Sequence, residues 1–397
     1  MERLLTTYEE ATKAFRCRDL RQALYDEGEH LMGGVIVNLH GEAHVARRRL
    51  ENRLFRRDTF AWYEQDRIPA IVADVLAPAL AAGRGELIDL ARRTMLTLSI
   101  EVAGVDAVPA DFDRFDGLMR RMARAATVAH ATGDKAAIIA DGDDALAAFD
   151  REFYRPSLAR RAALVEHVAN GGADAAVLPR DVLTTLLHNQ DRLDLLPDVV
   201  LREVAYYPWV GSHSTSTQLV HAMHHLFEWI AGHPADAEAI ALDDALRQRF
   251  VHESMRLHPA SPVALRIATL DVTLGPGAGL SIGRDEPVTI SVEQANRDRS
   301  VFGEDADAFD PHRRLPEGVP PWGLSFGHGM HSCLGQELAG GLEPGAGNEH
   351  DLVGSVVVMS GSMLRAGARP DPADRPSLDA NTTRVMWGRY PVTFDLR

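Results

Sequence analysis

The sequence predicts a mainly α protein with small β-sheets, and three observations predict it. Long Ala-, Leu- and Arg-rich segments with helical periodicity fill the middle of the chain, short alternating segments follow Pro259, and a Gly-rich loop holding one cysteine lies beyond them. After a strand-like start, Tyr8 to Phe15 reads as a short helix, followed by a Gly33-Gly34 break. From His44 to Arg57, the residues Leu50, Leu54 and Phe55 are spaced to face a core on a further helix. Helical segments are then expected from about Asp58 to Ala81, Leu87 to Gly104, Asp111 to Ala131, Lys135 to Ala169 and Pro179 to Leu187, with breaks such as Gly171-Gly172 between them. A central helix passes through Tyr206-Tyr207-Pro208-Trp209, where Pro208 should kink or start it. Val263 to Ile267, Leu270 to Leu274 and Pro287 to Ser291 read as short strands, with a turn over Gly275-Pro276-Gly277-Ala278-Gly279.

Composition narrows the function classes. The chain has 397 residues, 45% of them hydrophobic, and lacks any Ser/Gly-rich linker or repeat, so one large domain over 1–397 is expected. The formal net charge of −15 argues against general nucleic-acid affinity. No run of about 20 apolar residues is present to span a bilayer, and the start lacks the apolar stretch of a signal peptide, so a soluble, cytoplasmic protein without membrane association is expected. Cys17 and Cys333 are the only cysteines, too few for a disulfide framework or a zinc site.

The chemistry is placed at Cys333, within Ser325-Phe326-Gly327-His328-Gly329-Met330-His331-Ser332-Cys333-Leu334-Gly335. A thiolate that ligates iron must be deprotonated, shielded and hydrogen-bonded at sulfur. Gly329 permits a tight turn that aims backbone N–H groups at the sulfur, and Gly335 permits close approach of a flat macrocycle. Phe326 would cover the other side. A lone cysteine is otherwise most often a small buried hydrophobe. A second motif, His252-Glu253-Ser254-Met255-Arg256-Leu257-His258-Pro259, sets Glu253 and Arg256 three apart on a helix that ends before Pro259, so the two side chains meet. On an exposed face such a pair is ordinary and weak.

The spacing Phe326, Gly329, His331, Cys333, Gly335 resembles the haem-binding loop of the cytochrome P450 family, and further motifs in family order extend from about Gly41 to Gln336. The resemblance implies haem b (iron protoporphyrin IX) as cofactor, with Cys333 as the axial iron ligand. Gly41 to Arg49 resembles the start of the helix that in bacterial members sends a His and an Arg to haem propionates, which implies His44 and Arg48. Arg266 and His331 are implied as further propionate partners, an exposed strand edge being the alternative for Arg266. Phe309-Asp310-Pro311-His312-Arg313 implies that Arg313 joins Glu253 and Arg256 in a structural network. The other arginines between His44 and Arg57, namely Arg47, Arg49, Arg53, Arg56 and Arg57, would face outward, either as a solvated face or as a docking surface for an acidic electron-transfer protein.

The chain departs from the family's pattern in three places. At the oxygen-binding helix one register puts Thr215 at the family's alcohol and Ser214 at its acid, while a register one residue earlier makes them Ser214 and His213. Neither supplies a carboxylate, and His213 titrating near neutrality could substitute or could simply pack in the helix. Tyr206, Tyr207 and Trp209 line a pocket or belong to the core. Second, Gly340 to His350 reads as a loop insertion at about 340–350, with helix resuming near Asp351 and running to Leu364. Third, the chain is short at the N-terminus, where the family's leading helix has no counterpart. The function implied is a haem-thiolate monooxygenase, a cytochrome P450-type oxidoreductase, acting on a small, largely apolar molecule of specialised or degradative metabolism. Its electrons would come from a ferredoxin and ferredoxin reductase. The rivals are a P450-like enzyme that bypasses oxygen activation, by using peroxide or by redox-neutral nitrene or oxo transfer on an N–O or O–O substrate, and a non-catalytic haem-binding sensor.

Overall fold

Residue placement is described for 3–107, 109–275, 279–343 and 352–394 of a computed structural model. The elements that position the site are helices α1 (Tyr8–Arg16), α2 (Gly41–Glu51), α3 (Leu87–Ala103), α4 (Phe112–Ala126), α5 (Pro197–Gly232) and α6 (Asp244–Leu257). With them stand strands β1 (Arg3–Leu5), β2 (Leu20–Gln22), β3 (Val263–Ala268) and β4 (Pro287–Ser291).

Helix α1 starts where Thr7 accepts from the Glu10 N–H, a side-chain cap that satisfies one of the free donors of the first turn. Helix α5 is the long central element, and it runs unbroken through Pro208. Its buried residues Leu219, Met223 and Leu226 pack in one apolar cluster with Phe250 and Met255 of α6, while Val204 and Trp209 belong to a second cluster with Phe115 and Met119 of α4. Gly211 lets α3 come close, because a Cβ there would lie 2.8 Å from Ser99 Oγ. The tyrosines divide as core residues do: Tyr207 and Trp209 are buried, and Tyr206 is partly buried against the same cluster.

The strands pair in the order β1-β4-β3-β2, with β1 parallel to β4 and the other pairs antiparallel. In β3 the residues Ala264, Arg266 and Ala268 are buried, so the alternation seen in the sequence turns Arg266 inward. Gln22 lies opposite Arg266 across β2 and β3, and its side-chain oxygen accepts from the guanidinium. Small sheets near the C-terminus add Trp387–Arg389 and Pro391–Thr393, which the sequence reading did not assign. The turn at 276–278 and most of the loop at about 340–350 lie outside the described residues. At that loop's ends, Gln248 Nε2 donates to the carbonyls of Gly340, Leu342 and Val353, and helix resumes at Ser355–Arg365.

Candidate haem-thiolate site

Leu324 to Gly335 is held from two sides. Behind it, Glu253 receives Arg256 Nε at 2.7 Å and Nη2 at 2.6 Å, and Arg313 Nε at 3.1 Å. Arg256 is fully buried and spends Nη1 on the carbonyls of Asn296 and Ala306. Asn296 returns a bond to the Arg256 carbonyl, donates to Ser325 Oγ, and accepts from the Leu324 N–H at 2.7 Å. A chain of satisfied polar groups thus runs from α6 to the cysteine loop, and a buried network of this kind is costly to break.

On the N-terminal side, α1 packs onto the loop. Gly329 has φ +69°, and a Cβ there would sit 2.4 Å from the Phe15 carbonyl oxygen, so only glycine fits. The loop then closes with the Cys333 N–H donating to the Phe326 carbonyl at 2.9 Å. Phe326 packs against Trp322 and against Gly340. The expectation for Gly335 takes a different form: a Cβ there would meet no protein atom within 4 Å, while its N–H is directed at the Cys333 sulfur.

Cys333 is accessible to a solvent probe, yet protein surrounds it closely, so the sulfur opens inward rather than onto the outer surface. Burial pushes the Cys333 thiol up, against the opposing pull of the Gly335 N–H and the Arg48 charge. The groups around it are donors and cations. His44 and His331 have rings 4.3 Å apart. His44 Nδ1 and His331 Nε2 are buried without a hydrogen-bond partner. Arg48 makes only long bonds, 3.3 Å to the Met330 carbonyl and 3.4 Å to Ser332 Oγ. Arg266, only 4% exposed, contacts the neutral Gln22 side chain and the Leu265 carbonyl, and desolvation pulls its pKa down to about 10. Desolvation, joined by the repulsion of Arg48 and His40 at His44 and of His44 and Arg266 at His331, pulls His44 down to about 4 and His331 to about 3. None of the four has a carboxylate ion-pair partner among the described residues.

The basic stripe does not all face outward. Arg47 is buried and pairs with Glu203 of α5 and, at 3.9 Å, with Glu51, because α2 packs this face against α5. The Ile36 N–H also donates to Glu203, and the Tyr207 hydroxyl donates to Glu51. One arginine faces two carboxylates here, and burial pushes Glu51 up to about 7 and Glu203 well above its ordinary range. Sequence reasoning missed this cluster, because partners roughly 150 residues apart leave no spacing to read. Arg49, Arg53, Arg56 and Arg57 are exposed, and Arg57 pairs with Glu337 just beyond the cysteine loop.

Above α5 lies a cavity of about 390 Å³. His213, Ser216, Thr217 and Val220 line it from α5, with residues of α3, α4 and the 379–388 segment. Thr215 is buried and is not among the lining residues, and Ser214 Oγ donates to the Val210 carbonyl. Thr217 therefore presents to the cavity, though its own hydroxyl donates to the His213 carbonyl at 2.9 Å. Nor does His213 titrate near neutrality. Burial, with the charges of Arg384, Arg92 and Arg120, pulls it down to about 3, so it is neutral at pH 7.

Fold and site together define a haem-thiolate type of protein, and the comparisons with known proteins agree. The Cytochrome P450 family model matches residues 245–340. Cytochrome P450 BJ-3 of Bradyrhizobium diazoefficiens is 30% identical over 282 residues, covering 69% of this chain and 60% of that protein. Erythromycin C-12 hydroxylase of Saccharopolyspora erythraea is 35% identical over 130 residues, 33% of this chain and 30% of that one. The matches thus span less than two thirds of these relatives' lengths. Among solved structures, CalO2 superposes with a TM-score of 0.75 at 21% identity, covering 99% of this chain and 90% of that one. P450BioI, solved with an acyl carrier protein bearing hexadec-9Z-enoic acid, gives 0.74 at 19% identity, covering 99% and 92%.

Residues 245–340 carry the Cytochrome P450 family match, and the chain as a whole has the fold of the cytochrome P450 structures it superposes on. Family and fold bind haem b through a cysteine thiolate. The residues present suit that group: an inward-facing thiol stands beside two imidazoles with unmet ring nitrogens and two arginines lacking carboxylates, as a pair of propionates would require. Among the described residues, no helix is long and apolar enough to cross a membrane.

Proposed function

We propose that this chain is a cytoplasmic haem-thiolate monooxygenase that oxidises a small organic molecule with electrons from a ferredoxin-type partner. The observation that carries the reading is the Cys333 loop, pinned through Asn296 to the Glu253–Arg256–Arg313 network and facing the donors of His44, Arg48, Arg266 and His331. In this reading Cys333 holds the iron, and His44, Arg48, Arg266 and His331 hold the propionates. Bound haem supplies the oxidative chemistry, its thiolate favouring O–O cleavage. The Gly335 N–H and Arg48 both favour the deprotonated sulfur. Thr217 and neutral His213 face the cavity, where they orient substrate and pass protons, while the packed α4 and α5 limit water. The exposed Arg49, Arg53 and Arg56 suit an acidic electron donor, whose docking weakens with salt.

The absorption spectrum of the reduced protein under carbon monoxide, for wild type and Cys333→Ala, tests this. A strongly red-shifted Soret band in wild type alone is expected, and the same band position in both would remove Cys333 as ligand. A second reading, turnover on peroxide or redox-neutral atom transfer, draws on one observation: the residues lining the cavity from α5 include no carboxylate. Peroxide-supported turnover without reductase favours it, and strict dependence on NAD(P)H and a ferredoxin system excludes it.

A further inference from the structure

The cavity above α5 carries a charge pattern at odds with a largely apolar substrate. Four arginines line it, Arg92, Arg120, Arg124 and Arg384, against a single carboxylate, Asp379, in a chain whose net charge is −15. Asp379 is occupied by its own turn, accepting from the Asn381 N–H and side-chain amide. Arg120 is tied to Asp116 and Asp89, and Arg124 donates to the Thr132 carbonyl.

The remaining two cations are not fully satisfied. Arg92 is 5% exposed; its Nε meets Asp116, but its Nη2 is buried with no hydrogen-bond partner. Arg384 contacts only neutral oxygens, the Ala260 carbonyl at 3.4 Å and Thr127 Oγ1 at 3.3 Å, and its buried Nε has no partner. His130, 8% exposed, adds an unpartnered Nε2. Buried donors are rarely left unmet, and Arg384, half-buried, has no carboxylate at ion-pair distance among the described residues, only the more distant field of Asp379. A cavity lined by four arginines against one carboxylate, with Arg384 hydrogen-bonded only to neutral oxygens, therefore describes a receptor for oxygen acceptors bearing negative charge.

The place suits a reacting substrate. Arg384, Cys333 and Arg266 each act electrostatically on the buried Tyr25. Arg384, Arg92 and Arg120 all act on His213 of α5, so their fields converge on the helix.

We propose that this cavity binds a substrate through a compact oxyanion head group, a carboxylate or a phosphate, held by Arg384 and Arg92 with His130. The proposal rests on the monooxygenase reading and names the substrate class of that same site. Calorimetric titration of the purified protein with three chain-matched probes, decanoate, decyl phosphate and decanol, tests it with no need for turnover. At low salt at least one anion binds tenfold or more tightly than decanol, and whichever anion binds more tightly names the head group. That preference falls at least tenfold in Arg384→Gln, is largely kept in Arg384→Lys, and shrinks as salt is raised. Equal affinities for all three probes, or an anion preference unchanged in a folded Arg384→Gln protein, would overturn it. The carbon monoxide spectrum separates the two readings. A shifted band with no anion preference removes only the oxyanion site, whereas Arg384-dependent anion binding without the band removes the monooxygenase reading and leaves the site standing.

Discussion

Two arginines, the buried Arg256 and the half-buried Arg384, sit on opposite terms with their surroundings. Arg256 spends its nitrogens on Glu253 and on the carbonyls of Asn296 and Ala306, whereas Arg384 reaches only neutral oxygens at 3.3–3.4 Å and leaves Nε unmet. The first holds the cysteine loop in place and has no donor to spare for a ligand. The second supports no comparable element. The saturated network builds the scaffold behind the cysteine loop, and the unsaturated arginine lines the cavity.

Breaking the saturated group should cost the most. Glu253→Gln leaves Arg256 and Arg313 without their shared charge, and removing one partner from a buried pair costs about 3–5 kcal/mol. Urea unfolding should show that loss, with haem content after purification falling alongside it. A variant as stable as wild type would place the network outside the scaffold. Asn296→Ala removes the acceptor of the Leu324 N–H and the donor to the Arg256 carbonyl while sparing the ion pair, so a smaller loss of about 1–3 kcal/mol is expected. Its thiolate spectrum should weaken more than its melting point suggests, because the lost bonds end at the cysteine loop.

The smallest effect concerns the histidines between the two regions. His221 stacks on His258 at 4.3 Å, and His258 Nε2 lies 2.9 Å from His225 Nε2, an arrangement that requires one nitrogen to donate and the other to accept. Burial pulls His221 down to about 4 and His225 to about 3. With folded values below the unfolded value near 6.5, the unfolded chain binds more protons between those limits. The contribution of these residues is therefore full above about pH 7 and is lost as pH falls toward 4. From pH 7 to 5.5 each such histidine should cost about 1 kcal/mol, and His225→Gln should reduce the acid sensitivity of the urea midpoint by about that amount. An unchanged pH dependence would mean the ring is not buried neutral.

Much of the scaffold was legible in one dimension. The helical segments, a strand over Val263 to Ile267, and the pairing of Glu253 with Arg256 follow from periodicities of 3.6 and 2 that need no partner element, while the burial of Arg266 settles the side it faces. The joining of Arg313 to that pair followed from a motif in family order and is present in the structure. Arg47 went the other way: its helix face reads as solvated until α5 brings Glu203 against it. The place of Thr215 was not legible for a related reason, since a hydroxyl's neighbours on a long helix depend on which face the cavity meets, and that face carries His213, Ser216 and Thr217.

The sequence by itself determined the helical class, the alternating strand that carries Arg266 and the cysteine loop with its glycines, because each depends on local backbone geometry or on spacing along one element. Only the tertiary structure decided which cations pair across elements, as Arg47 does with Glu203 and Arg384 does not. Arg92, His130 and Arg384 come from segments up to 292 positions apart, as their residue numbers show, and whether a buried charge finds a partner is a property of the space between elements, which no spacing along the chain encodes.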